Sequence, residues 1–214
     1  MRKRMVSAAL ALCLALTLFS GTALAAGEHP FTDVPQGHWA GDAVQYVYEN
    51  NLMGGTDSTT FSPNNTTTRG MIVTVLYRLT GEPASGTASQ FTDVAAGAWY
   101  AKAVAWAGAN GIVSGYADGS FGPDDAVTRE QFAAFLYRFA VFEGRAQAGG
   151  GSDLAVFNDV SQVSGWAYPA LQWAVAQKII SGTPNGYLHP LANATRAEAA
   201  TILAKYISLF RVAE

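Results

Sequence analysis

Three copies of one unit run along the sequence, and this repetition constrains the fold more than any other feature. A Phe-x-Asp-Val-type segment occurs at residues 31–34, 91–94 and 157–160. Each copy continues with a tryptophan and closes with a Thr-Arg pair, and thirty residues separate the tryptophan from the arginine every time. Such a shared frame indicates a repeat architecture in which each copy forms one supersecondary unit.

The apolar pattern inside each copy predicts a helix, a loop and a second helix. Apolar residues fall four, five and eight positions after each tryptophan, which is the stripe of a helix with one buried face. An aspartate shortly before this stripe is expected to cap the first helix. The Thr-Arg pair predicts the start of the second helix, with the threonine as its N-cap. These structural positions are Asp33, Asp93 and Asp159, and Thr68, Thr128 and Thr195.

The residue three positions after each capping threonine differs between the copies. Glu198 and Gln131 complete a reciprocal capping box, whereas Met71 cannot accept a hydrogen bond in the same way. The start of the second helix is therefore expected to be least well defined in the first copy. On that basis we expect Arg69 to be held less rigidly than Arg129 or Arg196.

A helix–loop–helix unit of this length cannot bury its apolar face alone, whereas three units can bury their faces together. The sequence therefore predicts an all-α fold in which three helix–loop–helix repeats pack as one pseudo-threefold helical bundle domain. The predicted repeats are 31–80, 91–143 and 157–210. Residues 81–90 and 144–156, rich in glycine and small polar residues, are the predicted linkers.

The N-terminal residues predict export. Arg2, Lys3 and Arg4 precede an apolar run, and Ala23-Leu24-Ala25 offers a small-x-small cleavage site, so residues 1–25 are expected to be a signal peptide followed by a short segment, 26–30. The alternative is a membrane anchor, for which the run is short. Cys13, the single cysteine, lies in this run. We therefore expect a secreted protein of the bacterial cell surface, without disulfides and without a membrane span after cleavage.

Charge and scattered polar residues exclude several classes of function. Loss of Arg2, Lys3 and Arg4 leaves 10 basic residues against 16 acidic ones, a balance that argues against a nucleic-acid partner. The three histidines lack the spacing of metal ligands, so neither a metal site nor a cofactor is predicted. No special pair of facing carboxylates or nucleophile motif indicates catalysis.

The repeated residues resemble those of the S-layer homology family. The resemblance rests on the Phe-x-Asp-Val segments, the tryptophans, a glycine-centred turn and the Thr-Arg pairs, with Thr-Arg-Ala-Glu complete at 195–198. It covers nearly all of the chain after the predicted signal peptide. It implies binding of secondary cell-wall polymers, often bearing pyruvylated sugars, in grooves between neighbouring repeats.

Three sets of repeated residues are candidates for polysaccharide binding. An arginine just inside a helix N-terminus suits a carboxylate, but a salt bridge to Asp33, Asp93 or Asp159 explains it equally well. The tryptophans would stack on sugar rings, although an aromatic on an apolar stripe more often belongs to the core. The turn residues would let a ligand approach the backbone, and a tight turn also accounts for them. The candidates are Arg69, Arg129, Arg196, Trp39, Trp99, Trp166, Gly55, Ser114, Gly115, Ser181 and Gly182.

Three classes of function follow from these residues. The first is a non-catalytic module that anchors a protein to an anionic, pyruvylated cell-wall polysaccharide through up to three grooves. The second is a self-assembling or adaptor protein of the cell surface that uses the repeats for contact with other surface proteins. An enzyme ranks last, because the repeats leave little sequence to host catalysis.

Overall fold

The computed structural model describes residues 29–146 and 151–211, and the predicted signal peptide lies outside these ranges. Within them the chain forms six α-helices and two short 3₁₀ turns, with isolated bridges but no β-sheet, which confirms the all-α prediction. The helices are α1 (Gly41–Glu49), α2 (Arg69–Leu79), α3 (Ala101–Ala109), α4 (Arg129–Phe142), α5 (Tyr168–Ala176) and α6 (Arg196–Phe210). The 3₁₀ turns span Leu154–Val156 and Val160–Gln162.

The first helix of each repeat packs against the second helix of another repeat. Helix α3 packs on α2, α5 packs on α4, and α1 packs on α6. The last of these pairs joins the first and third repeats and closes the chain into a ring. Because each apolar stripe is covered by a neighbouring repeat, the three units form one pseudo-threefold domain, as the sequence predicts.

Three backbone hydrogen bonds form a closed cycle where the repeats meet. The N–H of Thr67 donates to the carbonyl oxygen of Ala194, Ala194 donates to Val127, and Val127 donates to Thr67, each at 2.9 Å. The three residues immediately precede the capping threonines, so they mark the pseudo-threefold axis. The hydroxyl of Thr67 is buried there without a hydrogen-bond partner in the described structure, and the equivalent side chains are apolar.

The second helices begin where the sequence predicts. The hydroxyl oxygens of Thr68, Thr128 and Thr195 accept hydrogen bonds from the N–H three residues on, and Thr128 and Thr195 form the complete capping box. Helical spacing also predicts one buried apolar face for each second helix, and these positions are buried except that Leu79 is only partly covered. They are Ile72, Val75, Leu76 and Leu79 in α2, Phe132, Phe135, Leu136 and Phe139 in α4, and Ala199, Ile202, Leu203 and Tyr206 in α6. The capping pattern and the buried face are therefore confirmed.

The first helices begin later than predicted. Their N-caps are Ala40, Tyr100 and Ala167, one residue after each tryptophan, and no side chain caps them. The tryptophans therefore precede the helix instead of starting its buried stripe. The rest of the stripe, exemplified by Val44 and Val47, is buried as predicted, except that Ala43 is only partly buried.

The repeated aspartates hold loops and do not cap helices, so the capping expectation is wrong. The carboxylate of Asp33 accepts hydrogen bonds from the N–H groups of Phe61 and Ser62 at 2.8 and 2.7 Å. Asp93 and Asp159 accept the equivalent pairs in their own repeats, from Phe121 and Gly122 and from Leu188 and His189. Each carboxylate thereby ties the start of its repeat to the loop that leads to the second helix.

The end of the predicted second linker carries regular structure. The 3₁₀ turn Leu154–Val156 lies inside the predicted linker 144–156, and the Leu154 side chain is fully buried. The N–H of Ser152 donates to the carbonyl oxygen of Gln172 in α5. These residues therefore pack with the third repeat. Across both described ranges, the helices lack the length and apolar character needed to cross a lipid bilayer.

Candidate functional site: three grooves at the repeat junctions

Three grooves of one design lie at the junctions of the ring. Groove A has a volume of about 440 Å³ and is lined by Arg69, Ser114, Gly115, Tyr116, Gln131, Phe135, Arg138 and Trp166. Groove B has about 360 Å³ and is lined by Trp39, Asn64, Arg129, Ile179, Ile180, Ser181, Thr195, Glu198, Thr201, Ile202 and Lys205. Groove C has about 150 Å³ and is lined by Leu52, Met53, Gly54, Gly55, Thr67, Met71, Ile72, Thr74, Val75, Arg78, Trp99 and Arg196.

Every groove contains residues from all three repeats. In groove A the arginine comes from the first repeat, the loop and helix α4 from the second, and Trp166 from the third. Grooves B and C follow the same order around the ring. The structure thus brings together an arginine, a turn residue and a tryptophan from the predicted set in each groove. Gly182 is the one predicted residue that lines none of them.

The three arginines hold the loop of the next repeat. Arg69 donates from Nε to the carbonyl oxygen of Phe121 at 2.8 Å and from Nη2 to that of Ser114 at 3.0 Å. Arg129 makes the equivalent bonds to Leu188 and Ser181, and Arg196 to Phe61 and Gly54. The alternative interpretation, a salt bridge from each arginine to a repeated aspartate, is wrong. Those carboxylates accept hydrogen bonds from backbone N–H groups instead.

Arg69 is the most enclosed of the three arginines. It is 3% exposed, and its guanidinium lies 4.7, 4.6 and 5.0 Å from the ring centres of Tyr116, Phe121 and Phe135. Burial lowers the pKa of Arg69, yet an arginine remains charged in proteins. The expectation that Arg69 is held loosely is therefore wrong. Its side chain is fixed by the second repeat, and the incomplete capping box of α2 has no bearing on that contact.

The third nitrogen of each guanidinium distinguishes the grooves. In groove B, Nη1 of Arg129 lies 3.0 Å from Oε1 of Glu198 and forms an ion pair with it. Gln131 and Met71 occupy the position of Glu198 in grooves A and C. There Nη1 of Arg69 and of Arg196 has no hydrogen-bond partner in the described ranges. Grooves A and C therefore keep one guanidinium nitrogen unpaired.

The tryptophans are surface residues, so the interpretation of them as core residues is wrong. Trp39, Trp99 and Trp166 are 65%, 60% and 53% exposed, which is unusual for the largest apolar side chain. Each follows the loop that leads into a first helix and lies at the margin of a groove. An exposed indole beside a cation is suited to stacking on an apolar sugar face.

A second cation in each groove was not recognised as a site residue from the sequence. Arg78, Arg138 and Lys205 stand ten residues after the capping threonines and line grooves C, A and B. Their place near the helix ends suggests an interaction with the helix dipole. Helices α4 and α6, however, continue beyond Arg138 and Lys205, and only Arg78 lies in a last turn. Their identical spacing from the capping threonines is the sequence feature that could have identified them as site residues.

The fold requires glycine at the turn positions Gly55 and Gly115, because a side chain there would clash. A Cβ on Gly115 would lie 2.3 Å from the carbonyl oxygen of Ser120 and 2.7 Å from the Phe91 ring. A Cβ on Gly55 would meet Phe31 and two carbonyl oxygens equally closely. The phenylalanine of the Phe-x-Asp-Val segment therefore packs against the glycine turn, and this packing explains the glycines without a ligand.

The structure defines a class of protein built from helical repeats closed into a ring, with a cationic and aromatic groove at each junction. The chain belongs to the S-layer homology domain family, whose model matches residues 30–70, 90–133 and 156–200. The three matches coincide with the three repeats found in the sequence. Domains of this family are modules that anchor proteins at the cell surface.

Proteins of several kinds are similar to this chain. An endoglucanase of Bacillus sp. strain KSM-635 is 31% identical over 94% of the chain, and the match covers 22% of that protein. A surface-layer 125 kDa protein of Lysinibacillus sphaericus is 33% identical over 79% of the chain and 14% of its own length. A cellulosome-anchoring protein of Acetivibrio thermocellus is 34% identical over 50% of the chain and 25% of its own length. The chain thus spans a quarter or less of each of these relatives.

Proposed function

We propose that this chain is a non-catalytic module that anchors a protein at the bacterial cell surface by binding an anionic secondary cell-wall polysaccharide. The grooves between the repeats are the binding sites. Pyruvyl ketal groups are the proposed source of the negative charge, because each carries a carboxylate on a sugar ring. The matches to a surface-layer protein and to a cellulosome-anchoring protein support the anchoring role.

The observation that carries the proposal is the pairing of cations with an exposed indole in every groove. Two cationic side chains line each groove, and a tryptophan that is at least half exposed stands at its margin. A guanidinium binds a carboxylate through charge-assisted hydrogen bonds. The indole offers a flat apolar surface to the sugar that carries the carboxylate. A pyruvylated sugar presents both features together.

The three repeated aspartates have a structural role, which supports the non-catalytic part of this proposal. Asp33, Asp93 and Asp159 each accept two backbone N–H groups, which leaves them tied to structural loops. The match to an endoglucanase covers only 22% of that enzyme. A shared anchoring segment accounts for such a match, with the catalytic part of the relative lying elsewhere.

Binding to purified, protein-free cell walls tests the proposal. The chain from residue 26 onward is expected to sediment with untreated walls and to stay in solution once the secondary polymer has been chemically removed. Binding that survives removal of the polymer would contradict the proposal. Binding to wall-free surface proteins in its place would support the adaptor function.

The tryptophans provide a site-specific version of this test. Replacing Trp39, Trp99 and Trp166 together by Ala is expected to weaken wall binding by at least about tenfold, since aromatic stacking contributes about 1 kcal/mol or more per contact. The matched control is Tyr187→Ala, because Tyr187 is an aromatic residue with 40% exposure that lines none of the three grooves. Equal binding by the two variants would remove the grooves from the proposal.

A further inference from the structure

The carboxylate of Glu198 occupies the one position in groove B where the other grooves have an unpaired guanidinium nitrogen. Arg129 uses Nε and Nη2 for the carbonyl oxygens of Leu188 and Ser181, as its two counterparts do for their loops. Its Nη1 is paired with Glu198 at 3.0 Å. The chain itself therefore shows where a carboxylate binds to these arginines.

The grooves also differ in the charge of the residues that line them, because Glu198 lines groove B. Groove A presents Arg69 and Arg138, and groove C presents Arg196 and Arg78, with no acidic side chain among the residues that line either groove. Groove B presents Arg129 and Lys205 together with Glu198. An anion that enters groove B meets a guanidinium that is already paired with a carboxylate, whereas the arginines of grooves A and C have acidic residues nearby but no carboxylate paired with Nη1.

We infer that Glu198 is a built-in competitor that closes groove B to carboxylate-bearing ligands, so that grooves A and C hold the anionic sugars. The inference rests on the proposed function and deepens it, since it assigns the grooves and names the residue that decides between them. The fold holds Glu198 beside Arg129, so its carboxylate meets the guanidinium without the loss of translational freedom that a free carboxylate pays on binding.

The carboxylate at this position can be removed from one groove or introduced into another by substitution, because glutamate and glutamine both complete the capping box that starts the helix. In α6 the Glu198 Oε2 atom accepts the N–H of Thr195 at 2.8 Å, and in α4 the Gln131 Oε1 atom accepts the N–H of Thr128 at 3.1 Å. Glutamate and glutamine therefore both serve at this position. Glu198→Gln removes the competitor from groove B, and Gln131→Glu introduces one into groove A, where Arg69 takes the place of Arg129.

Calorimetric titration with short polymer fragments, released from the walls of the source bacterium, tests the inference. We expect Glu198→Gln to gain one bound fragment per chain, and Gln131→Glu to lose one or to bind it at least about tenfold more weakly. Fragments freed of their carboxylates are the ligand control, and thermal unfolding of each variant is the control for the fold.

Of the three grooves, Trp39 lines only groove B, so its replacement tests binding in that groove. Trp39→Ala is expected to have no effect on fragment binding in the wild-type chain and to remove the extra site in the Glu198→Gln variant. If neither exchange of residues changes the number or affinity of bound fragments, the inference is wrong while the proposed function stands. If the wild-type chain binds no fragment, the proposed function itself is wrong.

Discussion

Nε of Arg196 donates a hydrogen bond of 2.7 Å to the carbonyl oxygen of Phe61, so a side chain of the third repeat holds a loop of the first. The equivalent bonds of Arg69 and Arg129 connect the first repeat to the second and the second to the third. Each repeat is therefore completed by the one before it around the ring. Stability and groove geometry depend on the same closure.

Removal of the third repeat is expected to abolish cooperative folding. A chain that ends at residue 150 lacks α5 and α6, so the apolar faces of α4 and α1 lose the helices that cover them. We expect a broad thermal transition without a clear midpoint, measured by circular dichroism. A sharp transition like that of the full chain would show that the repeats are independent units.

Thr67→Val is expected to stabilise the domain by about 1 kcal/mol, because the buried hydroxyl lacks a partner and an apolar group of similar shape removes its desolvation cost. The second repeat already has valine at the equivalent position, Val127. Urea denaturation measures the gain. Thr74→Val is the control without a gain, since its hydroxyl donates to the carbonyl oxygen of Gly70 at 2.8 Å. A loss of stability in Thr67→Val would show that the hydroxyl is paired in solution.

The stabilising effect of Asp159 is expected to disappear in acid. Burial tends to raise the pKa of Asp159, but hydrogen bonds from the backbone N–H groups of Leu188 and His189 outweigh it, and the pKa is lowered. A carboxylate with a lower pKa in the folded state stabilises the fold above its ordinary pKa of about 3.9 and loses this effect as the pH falls.

Comparison with Asp159→Asn provides the measurement. At neutral pH the variant is expected to have a lower free energy of unfolding than the wild type, because an amide accepts only one of the two N–H groups well. The difference should begin to narrow as the pH falls below about 3.9, the ordinary pKa of the carboxyl in the unfolded chain, and should be lost as the pH falls through the lower pKa of the folded state. A difference that stays constant with pH would contradict the assigned hydrogen bonds.

Arg69→Ala is expected to destabilise the fold by about 3 kcal/mol, because the carbonyl oxygen of Phe121 loses a buried charge-assisted hydrogen bond, that of Ser114 loses a partly buried one, and three aromatic rings lose their contact. Arg138→Ala is the matched control in the same groove. Within the described ranges its side chain makes one long hydrogen bond of 3.4 Å, to Oγ of Ser114, so a loss of less than about 1 kcal/mol is expected. Urea denaturation distinguishes the two, and equal losses would contradict the structural role of Arg69.

The features that the sequence alone determined depend on residues that lie close together in the chain. The threonine caps, the buried faces of the second helices and the threefold repeat depend on contacts within a few residues, which a sequence pattern records directly. The need of each unit for its neighbours also followed, because one apolar stripe has to be covered. These local rules predicted an all-α fold of three repeats packed as one pseudo-threefold bundle, whereas the grooves between the repeats were implied by the family resemblance.

Only the tertiary structure decided how the repeats use those residues. Trp39 is exposed because its helix begins two residues later, and Asp33 serves a loop that lies 28 residues further along the chain. The Arg129–Glu198 pair joins residues 69 apart. Such contacts depend on which helix covers which stripe when the ring closes. That choice is made by packing between repeats, and no periodicity within one repeat encodes it.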